Sequence, residues 1–215
     1  MLIHPWDAAG DPAEWQDWLA RHDFGQIAVN GLPGEPPLVQ PAHFRYETEP
    51  GPHGRVLTHL ARPNPLWRAL EADPRVLLSV VDDYVYVPGP WTAPEGAPPE
   101  HGTPTSYYAA VQLHCVARVV DDPAEKADLL NRQVGHFQPD GGTARVAPGE
   151  APFGRLLSGI RGLSLEVTEV RAKFKYGGNK APEVRTRVAA RLAERAGPND
   201  LAARTHQLRR PAAEG

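Results

Sequence analysis

Cysteine and methionine each occur once in 215 residues, so the chain can form neither an internal disulfide nor a multi-cysteine metal site. Cys115 falls in an alternating apolar stretch and reads first as a small core residue, with a nucleophile as the lesser alternative. No apolar run approaches the roughly 18 residues that a membrane-spanning helix needs. The first residues, MLIHPWDAAGDPAEW, lack a basic segment followed by an apolar one, so no secretory signal is visible and a cytoplasmic protein is expected. A net charge of −3 argues against a surface that coats nucleic acid. Neither a HExxH, a GxSxG nor a P-loop pattern occurs, and internal repeats are absent. His22, His43, His53, His101, His136 and His206 are scattered without ligand spacing, and no metal site is expected from them. Asp82 and Asp83 read as turn residues rather than as an acid–base pair.

What the chain does contain is an ordinary globular composition, 41% hydrophobic and 23% charged, long enough for one principal domain with a small appendage. Asp11-Pro12-Ala13-Glu14 carries a cap, a proline at the first helical position and a glutamate three residues after the cap. That pattern predicts a helix to about His22. Asp122-Pro123-Ala124-Glu125 repeats the signature and predicts a second helix to about His136. Between them lie strand patterns: GQIAVNG, PLVQPAHFRYE, GRVLTHL, RVLLSVV, DYVYVPG and the long SYYAAVQLHCVARVV. A last strand, LSLEVTEVRAKFK, changes phase near Thr168-Glu169, which predicts a bulge or bend. Val184, Val188 and Leu192 then mark a helix with an apolar stripe. The proline-rich stretch from residue 88 to 105 is too long for an ordinary turn and reads as a functional loop or lid.

The segment THLARPNPLW, residues 58–67, sets His59, Arg62 and Asn64 between a strand and a predicted helix of about 64–72, followed by a strand from Arg75. Read as a strand–helix–strand unit, it offers helix N–H groups, a guanidinium and an imidazole, which suit a phosphate. The plainer alternative is that Asn64 caps the helix, Arg62 is solvated and His59 fills a half-buried position. Further on, residues 182–210 hold Arg185, Arg187, Arg191, Arg195, Arg204, Arg209 and Arg210 against Glu183, Glu194 and Asp200. An amphipathic helix with a solvated basic face is favoured there over a nucleic-acid site.

GRVLTHLARPNPLWRAL, YVPGPW, TPTSYYAAVQLHCVARVVDDPAEKADLL and VRAKFK, in this order and spacing, resemble the PaiB-type FMN-binding negative transcriptional regulators over roughly residues 1–195. The resemblance implies an α+β fold, a split β-barrel of the FMN-binding type with peripheral helices. It also implies a homodimer with cofactor sites at the subunit interface. The expected division is a split-barrel domain over 1–180 and a C-terminal helical extension with a basic tail over 181–215.

By position, His59, Arg62 and Asn64 match the family's phosphate-side motif. Thr105 and Tyr108 match the threonine and tyrosine of its Pro-Thr-Trp-Asn-Tyr stretch, and Lys175 matches its late lysine. Ser106 and Tyr107 stand where relatives read Trp-Asn, in the strand placed beside the cofactor ring. Tyr176-Gly177-Gly178-Asn179 replaces Leu-Ser-Gln-Asn. FMN needs a cationic pocket for its phosphate and an apolar slot for its ring; Arg62 and Lys175 are the expected charges, with Tyr107, Tyr108 and Trp91 as candidate aromatic walls.

The resemblance leaves the role open among flavin-dependent oxidoreduction, flavin-linked regulation and DNA-binding repression without catalysis. It also implies an alternative cofactor. The related piperazate synthases use haem to form an N–N bond in an N-hydroxylated amino acid, and His59 would then be an axial-ligand candidate.

Overall fold

The computed structural model describes residues 1–210. Among the described residues five α-helices, α1 (Pro12–Leu19), α2 (Leu66–Ala72), α3 (Pro123–Phe137), α4 (Pro182–Arg195) and α5 (Asp200–Arg209), accompany seven strands. These are β1 (Phe24–Val29), β2 (Leu38–His43), β3 (Arg45–Glu47), β4 (Arg55–Ala61), β5 (Arg75–Val87), β6 (Thr105–Val120) and β7 (Ile160–Lys175). The sheet order is β2-β1-β5-β6-β7-β4-β3. The pairs β1–β2, β1–β5, β3–β4 and β4–β7 are antiparallel. The fold is therefore α+β around one large sheet whose hydrogen-bonded order is not closed. Its two ends, β2 and β3, are separated in the chain by Phe44 alone.

Both cap signatures act as the sequence predicts. The Asp122 carboxylate accepts from the backbone N–H groups of Ala124 and Glu125 at 2.9 Å each, a cap worth about 1 kcal/mol. Asp11 accepts from Glu14 N, while the Glu14 carboxylate reaches back to Gly10 N at 2.7 Å. α1 ends at Leu19, earlier than the expected His22, and the His22 ring stacks back on Trp18 with centroids 4.1 Å apart.

Two expectations are corrected. The two strands expected from Arg75 to Gly89 are one, β5, in which Val76, Leu78 and Val80 are buried and then, across Asp82-Asp83, Val85 and Val87. Asp83 adopts φ 54°, a left-handed residue that shifts the alternation without ending the strand. Second, β4-α2-β5 is no parallel strand–helix–strand unit, because β6 and β7 lie between β4 and β5 in the sheet. The proline-rich loop is pinned: the Thr92 hydroxyl bonds to the carbonyls of Gly89 and Thr103, and Arg187 on α4 donates to the carbonyls of Trp91 and Ala93. Gly89 and Gly102 pack backbone to backbone, leaving no room for a Cβ on either.

The described residues form two compact units, each discontinuous in sequence. The first comprises 1–15, 81–111 and the chain from 171, and so includes α4 and α5; the second comprises 16–80 and 112–170. The second unit holds the small apolar clusters Leu57–Val120–Leu129 and Ala127–Val146–Leu157. The first buries Tyr107, Phe174, Tyr176, Val188 and Leu192 almost completely. Residues 211–215, the end of the expected basic tail, lie outside the described residues. Among the described residues no helix is long and apolar enough to cross a membrane.

Candidate functional site

In the second unit His59 lies near the end of β4 and Arg62 and Asn64 lie in the turn after it, and the fold itself engages all three. The Asn64 side chain accepts from Leu66 N at 2.9 Å and donates to Gln40 at 2.8 Å. Trp67 N reaches Asn64 O, and Pro65 has no N–H, so the first donors of the short α2 are already used. Arg62 donates Nε to Ser158 O at 2.7 Å and lies 3.5 Å from Asp121, which Arg161 holds more tightly at 2.6 Å. Hydrogen bonding from Arg161 is the main reason the Asp121 carboxyl sits below the usual range. Arg161 also lies over the Trp67 ring, whose indole N–H donates to Ala61 O at 2.9 Å.

His59 has a defined tautomer. Gln133, only 2% exposed, donates its amide nitrogen to Leu57 O at 3.2 Å, which turns its oxygen toward His59 Nδ1 at 2.7 Å. Nδ1 therefore donates to Gln133, and the neutral ring then has its lone pair on Nε2. The His43 ring meets His59 edge-on at 5.3 Å; burial first, and then the neighbouring His59, lowers the His43 pKa against the pull of Asp23.

In the first unit the other five sequence-selected residues lie on β6 and β7. Lys175 Nζ donates to Thr105 Oγ1 at 3.0 Å. Lys173 and Lys175 lie 5.9 and 5.8 Å from the centre of the Tyr108 ring. Ser106 is half-buried on β6. Tyr107 is 1% exposed, its hydroxyl has no partner, and burial pushes its pKa up to about 12. Thr105, Tyr107 and Lys175 line a cavity of about 240 Å³ together with His4, Trp6, Asp7, Lys173, Gly177, Asn179 and Lys180. Burial lowers the Lys175 pKa, and Lys173 and Lys180 push it the same way.

Sequence reasoning missed Asp7, Lys173 and Lys180 here. The signal available was the Lys-x-Lys alternation of β7, which places residues 173 and 175 on one face. It also missed a buried pair: Asp83, read as a turn residue, meets His206 Nε2 at 3.0 Å, and that ring stacks on Tyr176 at 4.7 Å.

The arginine-rich segment is less solvated than its composition implies. Arg185 donates to the carbonyls of Gln207 and Arg210, and Arg195 holds Asp200 and Tyr86 O. Arg210, 6% exposed, bonds Ala8 O and Glu14. Trp91, considered as a ring wall, lies under the Arg195 guanidinium at 4.9 Å. These side chains hold the first unit together and are not a free basic face.

The family described as "Putative FMN-binding domain" matches residues 1–169. Among solved structures, the chain is similar to the flavocytochrome Anf3 from Azotobacter vinelandii, at 22% identity and a TM-score of 0.60, covering 80% of this chain and 71% of that one. It is also similar to an FAD- and haem-binding protein from Mycobacterium smegmatis, at 17% identity and a TM-score of 0.61, covering 86% and 80%. At such identities the likeness is one of fold. No curated protein matches the chain.

Proposed function

The chain belongs to the "Putative FMN-binding domain" family, whose cofactor is FMN, and from that premise we propose that it is a cytoplasmic, homodimeric flavoprotein of the split-barrel type. The family match over residues 1–169 carries this reading. The short break at Phe44 supports the split barrel, because it makes the two edge strands of the open sheet consecutive in the chain. The residues proposed to hold FMN at a subunit interface are His59, Arg62, Asn64, Thr105, Ser106, Tyr107, Tyr108 and Lys175.

Their chemistry fits the cofactor in part. Lys175 with Thr105 offers a cation and a hydroxyl, and the partnerless buried phenol of Tyr107 offers a further donor. The cavity they line is below the roughly 300–1,000 Å³ of pockets that enclose a drug-sized ligand, so it suits a polar end and not the ring system. When bound, FMN supplies the electron transfer. The residues of this chain bind and orient it, and Tyr108, flanked by two lysines, presents an aromatic face.

A second reading has its own observation. The fixed tautomer leaves the His59 Nε2 lone pair available to iron, with Gln133 as the outer partner that sets it. Haem is thus the alternative cofactor, with N–N bond formation on an N-hydroxylated amine as the matching chemistry. Repression through DNA is the weaker alternative, because Arg185, Arg187, Arg195 and Arg210 are already bonded within the first unit.

The visible spectrum of the purified protein decides among these, recorded as isolated and after separate incubation with FMN and with haemin, each followed by gel filtration. Flavin bands that survive filtration are expected. A retained Soret band without flavin would replace FMN by haem, and retention of neither would sink both.

A further inference from the structure

The cavity of the first unit has a charge imbalance that the protein alone leaves unresolved. Lys173, Lys175 and Lys180 share a space of about 240 Å³ with one carboxylate, Asp7. That carboxylate is 3% exposed and 3.8 Å from Lys173 Nζ, beyond hydrogen-bond reach. Lys173 Nζ spends a proton on Leu2 O at 2.9 Å, and Lys175 spends one on Thr105. An ammonium group has three protons. The Tyr107 hydroxyl is buried and partnerless, an arrangement rare enough in folded proteins to call for a ligand.

Gly177, at φ 73°, is what lets the Tyr107 ring end here: a Cβ there would stand 2.2 Å from the Tyr107 hydroxyl. Asn179 adds an amide at the margin, and the His4–Trp6 stack, with rings 4.6 Å apart, forms part of the wall.

Donors of this kind, cations, a phenol and an amide around a space too small for a large ligand, match one chemical group. We propose that the cavity binds a single oxyanionic group, a phosphate monoester or inorganic phosphate, held by Lys173, Lys175, Lys180 and the Tyr107 hydroxyl, with Asp7 opposing it. The role of Asp7 follows from its sign. A carboxylate inside an anion site repels the ligand and limits how tightly it is held, which keeps the site exchangeable. The source of the group is either the phosphate of FMN or a separate phosphorylated ligand. In the first case this inference deepens the flavin reading and rests on it; in the second it stands apart.

The test is titration calorimetry of flavin-free full-length protein with inorganic phosphate at low salt. One saturable site per chain is expected. Lys175→Gln with Lys180→Gln should weaken it by about tenfold or more, since two charge-assisted partners of the anion are lost. Asp7→Asn should tighten it several-fold. Lys180→Gln alone alters only a half-buried side chain and should still weaken binding if the double variant fails to fold. No saturable binding, or binding indifferent to the lysine variants and to Asp7→Asn, overturns the proposal.

Competition then separates the sources. Displacement of phosphate by FMN but not by riboflavin identifies the cofactor's phosphate, while simultaneous binding of FMN and phosphate identifies a separate ligand. Retained FMN without phosphate binding would remove the pocket and leave the flavoprotein reading intact. Phosphate binding without FMN retention would do the reverse.

Discussion

Around residues 59–66, the side chains that stand out in the sequence have found partners inside the protein: Asn64 in Leu66 N and Gln40, Arg62 in Ser158 O, His59 in Gln133. In the cavity beside Tyr107 the reverse holds, with three lysines against one carboxylate and a buried phenol that bonds nothing. A cluster of polar residues is evidence of a ligand only after the bonds they make to the fold have been subtracted. By that measure the turn retains the His59 Nε2 lone pair and part of one guanidinium. The cavity retains most of its donors.

The largest expected effect comes from crowding the wall of the cavity at Tyr107. Gly177→Ala places a Cβ against the Tyr107 hydroxyl at a positive φ and should cost about 2–4 kcal/mol from overpacking and backbone strain. A lowered urea midpoint checks this, and an unchanged midpoint would mean that the corner is more yielding than its contacts suggest.

On the other side of the comparison, Gln133→Leu removes the partner of His59 and of Leu57 O together. Losing both hydrogen bonds of this buried amide should cost about 1–3 kcal/mol. Nitrogen NMR of His59 should show the Nδ1–H tautomer in the wild type and lose it in the variant. An Nε2–H tautomer in the wild type would break the argument for an iron ligand.

Arg62→Ala touches a half-exposed pair and should lower stability by less than about 1 kcal/mol. It should also weaken FMN retention less than Lys175→Gln does. The opposite order would place the phosphate at the turn and not in the cavity.

The smallest effect is one of pH. Burial raises the Asp7 carboxyl above its usual range, against Lys173, His4, Lys175 and Arg210. An acid whose folded-state pKa is raised gives its greatest stability below the unfolded value, and that contribution is lost as pH rises through the folded value. Asp7→Asn should therefore be the more stable protein at neutral pH, with the difference vanishing in acid. A difference that grew in acid would mean that Asp7 acts mainly as the ion-pair partner of Lys173.

The two helix starts, the long alternating β6, the phase change of β7 at the exposed Thr168-Glu169 and the buried stripe Val184–Val188–Leu192 are all legible in the chain. Each depends on residues within one or two turns of each other, and local sterics and burial periodicity set them. The same rules mislead at Asp82-Asp83, where acidic residues that usually mark a turn sit inside a strand. Asp83 there pairs with His206, 123 positions away.

The sequence by itself determined the α+β elements, the family resemblance and the residue types of the candidate site. Only the tertiary structure decided which of those residues remain available. Hydrogen bonds and charges are shared among groups that the fold brings together from distant segments. His4–Asp7, Thr105–Tyr107 and Lys173–Lys180 meet in one cavity, and no local pattern specifies that Lys173 and Lys175 will face a third ammonium group or that the Tyr107 hydroxyl will be left without a partner.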